Sequence, residues 1–540
     1  MVPSFPLSLS PERFVRHFRR LSSFGLTRLA LTLCMALGSL LLGSPFAAAT
    51  GWTTSGTKIL TPSGTQYIIA GVNWYGAETT SYVPDGMWTV DYKSIATQIL
   101  QYGFNTVRLP FSNQMWEQDP AASYHYTSAC PDCKGKNARD ILALIINYLG
   151  SLGLHVILDN HRSEAGNSAE ANGLWYYVSG SNNYPESSWI NDWVNVQRWV
   201  HGVKQANDTV TLNYLASDGF PIVLGYDLRN EPHTPSRTAY LQGATWGTGD
   251  GISPTTNPNP NPFAITTSTP HDWRLAAERA GDSILGDAAS HGWDYPLIFV
   301  EGISQFPTAT GTAANGPYDY YWWGGQLQGI NGNANNPGAP VVLNSGGSAS
   351  GLGAPVANQL VYSGHDYGPS EYQQPWFNTG TCYKSGCSSS SLADVWTSHW
   401  GFTNLSGGIN PVWPGHSAYP WSNTGATAYS QTPTWLGEFG TGNASSDCYT
   451  SGAGSQGQWF TDLVNYVQSS YVRTTTNDSG YALSNLNWTY WSINGNDSYG
   501  VLNSNWNALA YPNKVYSFLC SIEQMSISGC GSTGPLPAPQ

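Results

Sequence analysis

Eight short runs rich in β-branched and aromatic residues recur along the chain. They are 68–74 (IIAGVNW), 104–110 (FNTVRLP), 155–160 (HVILDN), 222–230 (IVLGYDLRN), 296–301 (PLIFVE), 360–367 (LVYSGHDY), 433–439 (PTWLGEF) and 487–493 (NWTYWSI). Helix-like stretches lie between them at 91–102, 137–152, 189–204, 272–290, 391–400, 456–471 and 512–520, the pattern of parallel strands covered by helices. In the second stretch Ile141, Leu144, Ile145 and Tyr148 share one face. This alternation predicts an α/β fold, a closed (β/α)8 TIM barrel. An open doubly wound sheet should show a glycine-rich phosphate turn after its first strand, and GVNWYG lacks one.

The first 49 residues stand outside that alternation. Arg13, Arg16, Arg19, Arg20 and Arg28 precede or open the apolar stretch Leu29–Leu42, and Ala47, Ala48 and Ala49 offer a small-residue cleavage site. This is the layout of an export signal. A membrane anchor is the alternative, but the stretch is shorter than the roughly 20 residues of a bilayer span. The expected organisation is a leader at 1–49, a catalytic barrel at 50–510, and a last barrel helix with a tail at 511–540. The mature chain is then expected to be secreted, extracellular and monomeric, with no membrane attachment.

The leader holds five of the 21 basic residues and one of the 34 acidic ones, leaving 16 against 33. So acidic a surface repels phosphate polymers and argues against nucleic acid as a partner. Trp occurs 23 times, and a flat apolar ring with one N–H suits the face of a sugar, although core packing accounts for many such rings. Cys130/Cys133, Cys382/Cys387 and Cys520/Cys530 are close pairs able to form disulfides after export, which leaves Cys448 unmatched. The CPDC run lacks the second pair that a zinc site needs. Asn207, Asn404, Asn443, Asn477, Asn487 and Asn496 head N-x-Ser/Thr triplets, which matter only where exported protein is glycosylated.

Loops after the strands build the active face of a barrel. Here they are long: 234–270, 302–356 with YDYYWWGG, and 401–432. Segment 318–325 is expected to line a groove for an extended ligand, and 247–265 is a weaker candidate. The opening WTTSGTKILTPSGTQ reads as a hairpin closing the opposite end.

Chemistry is expected at the strand ends. Asn230-Glu231-Pro232 ends the fourth run and Gly437-Glu438-Phe439-Gly440 the seventh, each bringing a carboxylate to the point where a buried strand meets solvent. Such a pair can cleave a glycosidic bond, Glu231 as acid/base and Glu438 as nucleophile. Arg108 can hold Glu438 ionised, and Tyr367 can donate to it. Asn230, His161 and His365 can bind hydroxyls, and Trp491 can floor the site. Trp74, Tyr75, Trp175, Trp322 and Trp323 are candidates for flanking subsites, with core packing the competing role for each. A metal on His161, His365 and Asp159 lacks HxH or HExxH spacing, and no G-x-S-x-G elbow supports a serine hydrolase. No metal or other cofactor is expected.

The ordered motifs GVNWYGAET, FNTVRLPFS, VILDNHR, GYDLRNEPH, HDWRLAAERAG, YYWWGGQLQG, LVYSGHDYG, PTWLGEFG and TYWSINGN, from about Gly51 to Trp506, resemble the glycoside hydrolases of family 5, above all their secreted cellulases. The resemblance implies a cofactor-independent, retaining endo-β-1,4-glucanase with Glu231 as acid/base and Glu438 as nucleophile. Arg108, His161, Asn230, His365, Tyr367 and Trp491 would form their shell, and a β-glucan would be the partner. Mannan or xyloglucan hydrolysis, or a non-catalytic carbohydrate-binding barrel, are the alternatives. Two positions depart from the pattern: Arg229 stands where comparable cellulases often have histidine, and Asn160 where a basic residue is common. No separate cellulose-binding module is evident.

Overall fold

The computed structural model describes residues 51–531 except 180–181, 236–242, 248–269, 308–317, 333–337, 346–355, 378–391, 406–408, 410–430, 450–451, 453 and 469–485. The leader, Cys382, Cys387, Asn477 and most of the 234–270 and 401–432 insertions, including the candidate groove segment 247–265 save Gly247, lie outside the described residues.

Eight parallel strands close into a barrel: β1 Ala70–Asn73, β2 Thr106–Ser112, β3 His155–Arg162, β4 Val223–Asp227, β5 Leu297–Glu301, β6 Leu360–His365, β7 Thr434–Glu438 and β8 Asn487–Tyr490. Each falls within or overlaps one of the eight expected runs. Every residue of β2, and of β4 to β8, is buried, as befits strands with side chains on one face and helices on the other.

The covering helices are α1 Tyr92–Gln101, α2 Ala138–Ser151, α3 Glu186–Val200, α4 Trp273–His291, α5 Leu392–His399 and α6 Gln456–Val467. Three of them, α1, α4 and α6, start at a side-chain cap. The Asp91 carboxylate accepts from the Lys93 amide at 2.8 Å, and the Ser455 hydroxyl from the Gln458 amide at 3.1 Å. Helix α4 stops at Gly292, whose φ of 67° is a left-handed cap. The seventh expected helix, 512–520, is instead a π-helical turn, Lys514–Phe518, followed by a 3-10 turn, Leu519–Ser521. Its ammonium explains the irregularity: Lys514 Nζ is buried and donates to the carbonyls of Thr441, Tyr499 and Gly500, fixing the segment against the loops after β7 and β8.

The opening residues form a three-stranded antiparallel sheet, Thr53–Ser55, Lys58–Leu60 and Gln66–Tyr67. Trp52, Ile59 and Ile69 pack there against Ile157, Leu224, Leu297, Phe299, Val361 and Trp435 of the barrel interior, so the floor is sealed and only the opposite mouth is open. Cys130–Cys133 and Cys520–Cys530 are disulfides, and Cys448 is free and buried. Asn404 and Asn487 are buried, with Asn487 accepting from the Ile69 amide inside the barrel, so these two triplets cannot carry a glycan in the folded chain.

Candidate active site

Register brings the polar strand ends together. Asn73 pairs with Arg108 across β1/β2, Pro110 with Asp159 across β2/β3, Asp159 with Asp227 across β3/β4, and His365 with Glu438 across β6/β7. The last pairing follows a register shift between Gly364 and His365, a bulge of the kind that re-aims a side chain beside a site. Glu231 lies just beyond β4 with φ of 48°, a left-handed backbone that a non-glycine residue adopts at some cost in energy and that Pro232 follows.

Arg108 organises the centre. Fully buried, it donates to Glu438 Oε1 at 2.6 Å, Asn230 Oδ1 at 2.9 Å, Asp227 Oδ2 at 2.9 Å and Asn73 Oδ1 at 3.0 Å, and it pairs with Asp159 at 3.1 Å and Glu301 at 3.2 Å. One cation among four buried carboxylates leaves excess negative potential. Burial, with neighbouring acids adding to it, pushes Asp159 and Asp227 up to about 7 and Glu301 up to about 8.

The two glutamates respond oppositely to this field. Burial raises Glu231 to about 7, and the charges of Glu438 and Glu301 add to the rise against the His365 hydrogen bond. Burial also works to raise Glu438, but His365, Arg108 and His161 and the Tyr367 hydroxyl at 2.8 Å outweigh it and hold its carboxyl below the usual range. His365 sits between them, Nδ1 at 3.1 Å from Glu231 Oε1 and 3.7 Å from Glu438 Oε2, with Nε2 at 3.1 Å from Glu301. Burial opposes its protonation, yet these three carboxylates raise it well above the ordinary imidazole value. One ligand-type atom from each of Glu231, His365 and Glu438 lies within 4.8 Å of the others. So close an approach of single oxygen atoms is compatible with the short carboxyl spacing of a retaining pair.

The pair opens into a cleft of about 840 Å³ lined by His161, Asn230, Glu231, Trp322, Trp323, Tyr367, Glu438, Trp491 and Tyr75, among others. The Tyr75 and His161 rings both lie nearly parallel to Trp491, at 5.2 Å and 5.8 Å between centroids, so the three rings group on one part of the cleft wall. The peptide between Trp491 and Ser492 is cis, and the indole donates to Asp497 at 3.0 Å. His161 donates from Nδ1 to Asp159 at 2.6 Å, which directs Nε2 outward. Asp159 thus holds His161, while His365 faces Glu231, Glu438 and Glu301.

Two of the expected subsite residues are core. Trp74 is fully buried and donates to the Asp85 carbonyl at 2.9 Å. Trp175 is fully buried among Trp189 and Trp273 and donates to Glu186 at 2.9 Å. Trp74 and Tyr75 both follow the end of β1, and of the two the tyrosine lines the cleft. Sequence reasoning missed Asn73, Asp227 and Glu301, whose signal was a polar group closing an apolar strand. It also missed the cleft-lining Glu78, Asp85, Glu371, Tyr372, Asp497 and Tyr499, which come from loops. The two departures noted above touch each other. Arg229 donates to Asn160 Oδ1 at 2.7 Å and pairs with Glu170 at 3.3 Å, so one cation still bridges β3 and β4 but is supplied by β4.

A closed parallel barrel with two facing carboxyls of opposed acidity at its mouth defines a glycoside hydrolase of the two-carboxylate kind. The chain belongs to the cellulases of glycosyl hydrolase family 5, whose family profile matches residues 64–497. It is 31% identical over 458 residues to an endoglucanase of Paenibacillus polymyxa, covering 84% of this chain and 82% of that one. It is 28% identical to the major extracellular endoglucanase of Xanthomonas campestris pv. campestris, covering 89% of this chain and 73% of that one. Among solved structures, a cellotetraose complex of an endocellulase from Pyrococcus horikoshii superposes with a TM-score of 0.58 at 27% identity, over 87% of this chain and 97% of that one.

Proposed function

We infer that this chain hydrolyses internal β-1,4-glucosidic bonds of cellulose or a related β-glucan by double displacement with retained configuration. The observation that carries the reading is the split acidity of two facing carboxyls: Glu231 keeps a proton to give, and Glu438 stays ionised to attack. Glu438, oriented by Arg108 and Tyr367, adds to the anomeric carbon while Glu231 protonates the departing glycosidic oxygen. Deprotonated Glu231 then takes a proton from the water that releases the sugar from the glycosyl-enzyme. Asn230 and His161 hold hydroxyls of the sugar being cleaved, Trp491 and Tyr75 form the platform beneath it, and Trp322 and Trp323 extend the groove. Two carboxyls and water suffice for this chemistry.

The cleft crosses the barrel mouth and is lined by loops from both sides, which supports internal cleavage of a long chain, as does the likeness to endoglucanases. Both carboxyls come from one chain, which supports a monomeric enzyme. The basic–apolar leader and the extracellular relative support export. The test is a reducing-end assay on barley glucan, carboxymethyl cellulose, mannan and xyloglucan, combined with product mapping and anomer analysis on cello-oligosaccharides. Internal cuts with a β-anomer product first are expected. Preference for a non-glucan would overturn the substrate, and an α-anomer first would overturn the mechanism.

A further inference from the structure

His233 lies two residues beyond Glu231 and is almost wholly buried behind the cleft wall. Its ring does two things at once. One face lies flat against Trp323 at 3.7 Å between centroids and 5° between planes. Its Nδ1 lies 2.8 Å from the Glu231 carbonyl oxygen, which can only accept, so the nitrogen donates. Burial depresses the imidazole to about 4, leaving the ring neutral with one N–H to give. The backbone of His233 is fixed as firmly as its ring: its amide donates to the Gly173 carbonyl at 3.0 Å and its carbonyl accepts from Ala244 at 2.9 Å. A Cβ at Gly173 or Gly243 would fall 2.0 Å or 2.2 Å from the His233 carbonyl oxygen, so glycine alone permits the approach.

Trp323 lies on the Glu231 side of the cleft. A Cβ on the next residue, Gly324, would sit 3.3 Å from the Glu231 Cα, whereas the Trp491 amide bonds to Phe439, beside Glu438, at 2.8 Å. A sugar stacked on Trp323 would therefore lie on the Glu231 side of the cleft, where the leaving group takes its proton if Glu231 is the acid. We propose that His233 is a positioning residue that couples the leaving-group platform Trp323 to the acid/base Glu231, holding the left-handed backbone of the glutamate and the indole ring in one rigid unit. This rests on Glu231 being the acid/base.

Two substitutions separate the contacts. His233→Phe keeps a flat ring beneath Trp323 and removes the donor; on cellopentaose kcat should fall about tenfold, the worth of one hydrogen bond, with KM within about twofold. His233→Asn keeps an N–H near the Nδ1 position and removes the ring; KM should rise about three- to tenfold, the worth of an aromatic stack, with the smaller loss in kcat. The KM effects of His233→Asn and Trp323→Leu should be non-additive in the double variant, a readout that does not depend on how well His233→Phe folds. Equal losses of kcat and KM in both histidine variants, or simple additivity with Trp323→Leu, overturn the proposal. Glu231→Ala run alongside separates the two readings. If it loses activity equally on cellopentaose and an activated aryl cellobioside, the acid assignment fails. If it spares the aryl substrate while the histidine variants show no split, only the coupling fails.

Discussion

Replacing His365 by glutamine removes the cation between the facing carboxyls of Glu231 and Glu438 while keeping a hydrogen-bond donor of similar reach. At 3.7 Å a unit charge is worth about 4 kcal/mol at an effective dielectric constant of 20 and about 1 kcal/mol at that of water. At about 1.4 kcal/mol per unit of pKa, Glu438 should therefore rise by roughly one to three units. The sign is the same for Glu231, because the lost His365 charge was lowering a group already at about 7. The acid limb of the kcat/KM profile reports ionisation of the nucleophile and the alkaline limb reports loss of the proton from the acid. Both limbs should move to higher pH, so the optimum shifts alkaline without the bell narrowing. Initial rates on barley glucan between about pH 4 and 9, with folding checked at each end by circular dichroism, measure this. An acid limb displaced by less than about 0.3 unit, or towards lower pH, would mean that His365 is neutral in the free enzyme and that the field argument fails.

Glu438→Ala should lower turnover at least about a thousandfold with the melting temperature preserved, and azide should restore part of it as a glycosyl azide of inverted configuration; absence of that product counts against the nucleophile. Glu231→Ala should cost about 10²- to 10⁴-fold on cellopentaose and far less on an activated aryl cellobioside, where no proton is needed to expel the leaving group. Trp175→Ala should destabilise the fold by about 3–5 kcal/mol, read as a lower urea midpoint. Trp491→Ala, at the half-buried wall, should instead leave the midpoint nearly unchanged and raise KM; the reverse pattern would return Trp175 to the cleft.

The barrel was legible because each strand had to be a continuous apolar run, and such runs survive as blocks in the sequence whatever the loops do. The two facing glutamates were legible for a related reason, since a carboxylate ending a buried run is either paired or functional. Helix type at 512–520 was not, because the outward apolar pattern does not reveal that a buried lysine will seek three carbonyls from distant loops. Trp74 and Trp175 were misassigned as subsite candidates because an indole carries the same letter whether it lies under a sugar or under another indole.

The chain's own order of residues determined the fold, the two carboxyls and the chemistry open to them. Only the tertiary structure decided which carboxyl keeps its proton. Acidity depends on distance and burial: Arg108 from β2, and His365 and Tyr367 from the end of β6, meet at Glu438, while Glu231 shares the histidine and faces two other acids. Those separations span from 71 to 330 residues along the chain, and register across a closed barrel is what reduces them to a few ångströms.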